Sequence, residues 1–171
     1  RQRFDNNNGT RGDKTLDRRE TVQSIGPYLR AEWNLIPRLE FVSGIRYDRI
    51  RFELDDAFLD DGDQSDDRTF SEFSGTVGSI FHLNESTHIY ANVASAFETP
   101  TTTELAKDPN GGSGFNPDLK PQHSVSYEVG FKRRPLGGPE LDLAFFIIHS
   151  HNELISYEIS GSTFYKNTGQ S

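Results

Sequence analysis

Residues able to do chemistry gather in a few places in this 171-residue chain. Between positions 55 and 67, the stretch DDAFLDDGDQSDD carries seven aspartates. Hard carboxylate oxygens at that density would suit Ca²⁺. The spacing lacks the glutamate that closes an EF-hand loop at its twelfth position, however, and a solvated acidic face that repels nearby anions is the plainer reading. His149 and His151 stand two apart on one strand face, a spacing that permits joint metal ligation. Their parity continues an apolar series, which places them among lipid headgroups if that face meets a membrane. His82, His88 and His123 have no obvious partners. Arg1, Arg3, Arg11, Lys14, Arg18 and Arg19 crowd the first nineteen residues, where they would meet an anionic chelate, a lipid phosphate or water. No Ser/His/Asp set, phosphate-cradling glycine loop or catalytic carboxylate pair stands out, so the expectation is a protein that is not an enzyme.

Composition narrows the partners. There is no cysteine, hence no disulfide framework, thiolate metal site or thiol nucleophile. The net charge of −8 argues against nucleic acid. Aromatic residues make up 12% while the mean hydropathy is −0.69, which fits strands with one apolar and one wet face. No apolar run approaches the roughly 18 residues of a membrane-spanning helix, a test that leaves a transmembrane barrel open.

The elements that must position these groups read as strands, because side chains alternate with a period of two. Leu29, Ala31, Trp33 and Leu35 oppose Tyr28, Arg30, Glu32 and Asn34. Leu39, Phe41, Ile45 and Tyr47 oppose Glu40, Gly44, Arg46 and Asp48. Ile89, Ala91 and Val93 oppose His88, Tyr90 and Asn92, and Val125, Tyr127, Val129 and Phe131 oppose Ser126, Glu128 and Gly130. Three hairpins follow: 25–35 with 39–54, 68–83 with 87–97, and 124–132 with 141–159. No segment shows a helical stripe. Connections alternate between short turns at 36–38, 84–86 and 133–139 and long ones at 55–67 and 98–121, with 1–19 as the tail of a third long loop. Short turns on one rim and long loops on the other is the habit of outer-membrane barrels.

The loop 98–121 is the leading candidate for binding. Its prolines stiffen the backbone, and Gly111, Gly112 and Gly114 permit positive φ. Phe97, Glu98, Thr99, Asn110, Phe115 and Asn116 are the candidate ligand contacts. Phe97, Pro100, Glu104, Asn116, Pro117, Leu119 and Pro121 read more readily as structural punctuation. Two architectures remain open: a soluble β-sandwich with one wet face, and a wide barrel. Arg30, Glu32, Arg46, Asp48, Glu128 and Lys132 share a face with Gly44, Gly78 and Gly130, and that mixture suits a hydrated or plugged lumen better than bulk solvent.

Four stretches, in order, resemble the β-barrel of TonB-dependent outer-membrane receptors. GPYLRAEWNLIPRLEFVSGIRYDR at 26–49 is similar to the family's Y-x-Q-x-E-W…L-x-L-x-x-G-x-R-Y-D hairpin. FSGTVGSIFHLNESTHIYANVASAFETPTTTEL at 73–105 resembles F-S-x-x-x-G-x-x-Y…L-Y-A-N-x-x-x-x-F-x-x-P-T-x-x-E-L. GFNPDLKPQHSVSYEVGFK at 114–132 resembles N-P-x-L-K-P-E-x-S-x-x-Y-E-x-G, and LDLAFFIIHSHNELISYE with the later YKNTG, within 141–169, resembles the next strand pair.

The resemblance implies an all-β fold: about six or seven antiparallel up-and-down strands of a 22-stranded transmembrane barrel, filling residues 1–171. The plug domain and TonB-engaging motif of such receptors are not in this sequence. Arg1 in place of Met and a strand-like end lead us to expect a section of a longer chain, unable to transport by itself. The implied function is import of a scarce ligand, foremost a ferric siderophore or other iron chelate, energised through TonB. The implied location is the bacterial outer membrane, with partners in outer-membrane lipid, lipopolysaccharide, TonB by way of the plug, and the ferric chelate, and no resident cofactor. Arg30, Glu32, Arg46, Asp48, Glu128 and Lys132 would face the lumen. The alternative is a soluble β-sandwich for interaction or adhesion, built round a calcium-binding aspartate loop.

Overall fold

The computed structural model describes residues 1–169, with every side chain in that span except that of Leu35; the expected outward place of Leu35 therefore lies outside the described residues. Ten strands and one helical turn follow in order. They are β1 (Gln2–Asn7), β2 (Thr10–Ile25), β3 (Tyr28–Ile36), β4 (Leu39–Asp56), β5 (Asp66–Asn84), β6 (Thr87–Glu98), α1 (Thr102–Leu105), β7 (Gln122–Arg133), β8 (Leu141–His151), β9 (Leu154–Ile159) and β10 (Ser162–Asn167).

All pairings are antiparallel between neighbours in sequence, apart from one interruption. Strands β2 and β3 both pair with β4: Ile25 stands opposite Arg49 and Tyr28 opposite Arg46. They are one long stave broken at Gly26-Pro27, where proline has no N–H to offer the ladder. The Pro27 carbonyl still accepts from the Tyr47 N–H at 3.0 Å, so the break is local. Six staves thus stand side by side: β2/β3, β4, β5, β6, β7 and β8. The sheet does not curl back to pair β3 with β8 among the described residues.

Several expectations need correction. The first nineteen residues are not loop. They form the β1–β2 hairpin, turned by Asn8 (φ 52°) and Gly9 (φ 91°), two successive left-handed residues as a tight hairpin requires. The expected strand 141–159 is really two. It breaks at Asn152 (φ 57°), after which β9 and β10 make a separate two-stranded ribbon through Ser160 and Gly161 (φ 50° and 80°). A helical turn, α1, also exists. It is too short for a stripe to announce, and is fixed by a capping box: Glu104 N–H bonds Thr101 Oγ1 at 3.4 Å, and Thr101 N–H bonds Glu104 Oε2 at 2.7 Å. In the long loop Gly111 and Gly114 use positive φ (73° and 80°), whereas Gly112 does not.

All elaborate features share one rim. The β1–β2 hairpin, the 57–65 loop, the 99–121 loop and the β9–β10 ribbon stand at one end of the staves. The short turns at 37–38, 85–86 and 134–140 stand at the other.

The faces exchange character partway up. In the lower part of β4 the odd positions Leu39, Phe41, Ile45 and Tyr47 are apolar and the even Arg46 and Asp48 charged. Above that row the odd positions are Arg49, Arg51 and Glu53, while the even ones are Ile50, Phe52 and Leu54. Across the ladder β5 does the same: Phe81, Val77 and Phe73 give way to Ser71, Thr69 and Asp67, and Phe70 appears on the opposite face. The buried core sits there. Phe52, Leu54 and Phe70 pack with Leu105, Phe115 and Leu119, and Ile50, Ala106, Leu154 and Tyr165 lean against them. The long loop therefore folds down onto the face that carries Arg46 and Asp48.

Candidate functional site

On the polar face below the core, Arg46 grips Asp48 through both Nε (2.9 and 2.7 Å) and Nη2 (2.7 Å), and the pair lies over Gly26. Thr76 Oγ1 donates to Asn92 Oδ1 at 2.9 Å. Tyr90 lies over Gly130 and donates to Glu128 Oε1 at 2.7 Å, with Lys132 Nζ 5.1 Å from its ring centre. Arg30 is within ion-pair reach of Glu32. The six side chains expected to share one face do share it. Two histidines thought to lack partners have them, since His82 Nε2 lies 2.9 Å from Glu40 Oε1 and His123 Nε2 is 3.5 Å from Glu72, while His88 meets the His82 ring edge-on at 4.6 Å. Among the described residues no three His, Asp or Glu side chains form a metal cage. His149 stacks edge-on against Tyr127 at 6.2 Å, on the apolar face.

The opposite face is apolar and wide open. Leu29, Ile45, Val77, Val93, Val129, Phe145 and Ile147 are all exposed. From Phe73 to Leu83 this surface spans about 33 Å of strand, or about 25 Å of height at the tilt usual for transmembrane barrels. That height matches the apolar band such barrels present to lipid. A shallow concavity of about 690 Å³ between Phe41, Val77, Val93, Val129 and Phe145 belongs to this lipid-type surface. It lies on the face away from the charged side chains.

At the elaborate rim the long loop is bound from several sides. The Arg68 guanidinium donates to the carbonyls of Asn116, Pro117 (2.9 Å) and Leu119, and sits 4.9 Å from the Phe70 ring. Burial pulls this guanidinium below its ordinary pKa, while Asp66 and Asp118 oppose the shift. Asp66 Oδ2 accepts from Phe115 N–H at 2.8 Å and Gln64 Oε1 from Gly114 N–H at 3.2 Å. On the far side Asn167 exchanges two bonds with the backbone of Lys120, at 2.8 and 2.9 Å. A recess of about 340 Å³ opens between loop and ribbon, lined by Asp118, Lys120, Asn152, Tyr165, Lys166 and Asn167 among others.

The six loop candidates separate. Phe115 and Asn116 are 4% and 2% exposed, inside the loop's own core. Phe97 and Thr99 are half-buried, while Glu98 and Asn110 are exposed. Phe97 and Glu98 belong to the β6–β7 ladder, opposite His123 and Gln122. Sequence reasoning missed Arg68 and Asn167 as holders of this loop. The signal for Arg68 was present in the exchange of apolar parity around it, and that for Asn167 in the YKNTG stretch already quoted for the resemblance, which gave it no role.

Two of the seven aspartates serve their own loop, and Asp66 serves the longer one. Asp56 accepts from Phe58 N–H (3.0 Å) and Gln64 N–H (3.3 Å), and the Ser65 hydroxyl and N–H hold the Asp63 carboxyl below the usual carboxylate range. Carboxylates engaged with backbone N–H groups do not favour the calcium-binding alternative.

The model of the TonB dependent receptor-like, beta-barrel family matches residues 1–171. The chain belongs to this family. It is therefore a section of a TonB-dependent receptor, an outer-membrane β-barrel from a family of transport receptors. Solved structures agree on the fold. The copper transporter OprC superposes with a TM-score of 0.76 at 19% identity, over 97% of this chain and 27% of its own. The ferric-catecholate import receptor Fiu from K12 E. coli gives 0.69 at 21%, over 93% and 26%. The ferripyoverdine receptor of Pseudomonas aeruginosa, bound to ferripyoverdine, gives 0.64 at 22%, over 95% and 21%. The chain spans about a quarter of the length of these receptors.

Proposed function

We propose that this receptor section forms part of the wall and mouth through which an iron chelate is captured and imported, energised through TonB by way of a plug. One observation carries the reading. The loop 99–121 folds inward over the polar face and, with the β9–β10 ribbon, frames a polar recess at the rim. In this reading Arg30, Glu32, Arg46, Asp48, Glu128 and Lys132 line the lumen. Glu98 and Asn110 reach the ligand from the loop, Phe97 and Thr99 flank it, and Phe115 and Asn116 hold the loop's shape from beneath. Lys120, Lys166 and Tyr165 supply cations and a hydroxyl for the oxygens of a chelate. The likeness to receptors for ferric catecholate and ferripyoverdine supports iron as the cargo, and the likeness to OprC makes copper the competing cargo.

The test is uptake by a strain lacking the gene for the full-length receptor, supplied with radiolabelled iron as catecholate, hydroxamate or citrate chelates, or with copper. Loss of iron uptake on one chelate is the expected result. Unchanged iron uptake with lost copper uptake would move the assignment to copper, and no change in either would remove the proposal.

A further inference from the structure

By composition the long loop is part rigid and part mobile, with stiffening prolines and permissive glycines, and its surroundings decide between the two. We propose that Arg68 is a positioning residue that latches the 99–121 loop permanently inside the barrel mouth, making the loop a fixed constriction. The inference rests on the polar face being the lumen side.

The geometry is specific. Arg68 stands on β5 opposite Phe52, one row above the apolar pair Phe70 and Ile50, and therefore points to the same side as the core. Its planar guanidinium reaches three carbonyls within one short bend, those of Asn116, Pro117 and Leu119. Carbonyls that converge like this can be served together by a charged fork with five donors. An ammonium is a compact point donor and reaches fewer of them. The bend is also held at its other edge, because Asn116 N–H donates to the Leu105 carbonyl at 2.6 Å and Asp66 accepts from Phe115. Beneath it Leu105, Phe115 and Leu119 are buried against β4 and β5. A segment with buried apolar side chains and satisfied backbone groups sits at the stable end of local opening. Its exposed tip, near Asn110, is the part left free to meet a ligand.

Hydrogen exchange on the full-length receptor in detergent tests the latch. The Arg68→Ala and Arg68→Lys variants are compared with the unaltered protein. In the unaltered receptor, amides of 114–119 are expected to exchange slowly, in step with the β5–β6 ladder. Arg68→Ala should speed the loop amides on the order of 10-fold or more while that ladder keeps its protection, and Arg68→Lys should fall between. Fast exchange of the loop in the unaltered receptor overturns the latch, as does equal exchange in Arg68→Ala. If Arg68→Ala also loosens the ladder, Arg68→Lys decides: loop opening with an intact ladder supports the latch, and joint loss overturns it. Failed iron uptake beside a protected loop would remove the cargo and keep the latch.

Discussion

Tyr90 lies over Gly130, its register partner on the adjacent strand, and turns its hydroxyl to Glu128 at 2.7 Å. The arrangement keeps a large ring against the wall, since a glycine is the one residue with no Cβ beneath it.

Adding that Cβ is expected to be costly. In Gly130→Ala the new methyl meets the Tyr90 ring and pushes it off the wall. A loss of about 1–3 kcal/mol follows, as for other overpacked sites. Urea unfolding of the full-length receptor in detergent should show it, and adding Tyr90→Ala should cost less than the sum of the two changes. Strict additivity would mean the ring does not depend on the glycine.

Arginine placed on the apolar face reads out the membrane. Val77 lies near the middle of the Phe73–Leu83 band and Phe73 at its upper end. Val77→Arg should destabilise the inserted barrel by about 2–4 kcal/mol, and Phe73→Arg by about 0–1 kcal/mol. Folding titrations into lipid vesicles measure both. Equal costs at the two depths would place this face away from lipid.

Leu119 is 1% exposed in the core under the loop. Leu119→Ala should cost about 2–5 kcal/mol of local stability, the usual range for a buried leucine. Because the β6–β7 ladder does not depend on that core, the loss is expected in exchange of the loop amides and not in those of the ladder. Uniform acceleration of both would contradict the division.

The β1–β2 hairpin should loosen in acid. Lys14 (2.7 Å) and Gln2 (3.1 Å) hold the Asp17 carboxyl below the usual carboxylate range. A folded value lower than the unfolded one gives stability that is complete above the unfolded pKa of about 3.9 and is lost as pH falls through the lowered folded value. Exchange of the hairpin amides should rise over that window and not in Asp17→Asn. The contact is exposed, so added salt should shrink the step.

Much of this structure was legible beforehand. Alternation of Ile89, Ala91 and Val93 with His88, Tyr90 and Asn92 named both the strand and its faces, because a pleated strand permits only one assignment once one face is apolar. The same rule hid the rim. Around Ile50 and Phe70 the apolar side changes over, a pattern with no meaning until a loop some fifty residues away is seen to cover it. The β1–β2 hairpin escaped notice because its side chains are nearly all polar, so its Asn8-Gly9 turn was the one signal left.

The sequence by itself determined the six central strands, their order, the lipid-type and polar faces of their lower part and the family, since each follows from side-chain period and local motif. The tertiary structure alone decided where the long loop goes. Its inward fold depends on Arg68, Asp66 and Asn167, which meet its carbonyls and amides from distant elements. Convergence of that kind leaves no period in the chain, because backbone acceptors carry no residue identity and their partners can come from any strand that happens to stand near.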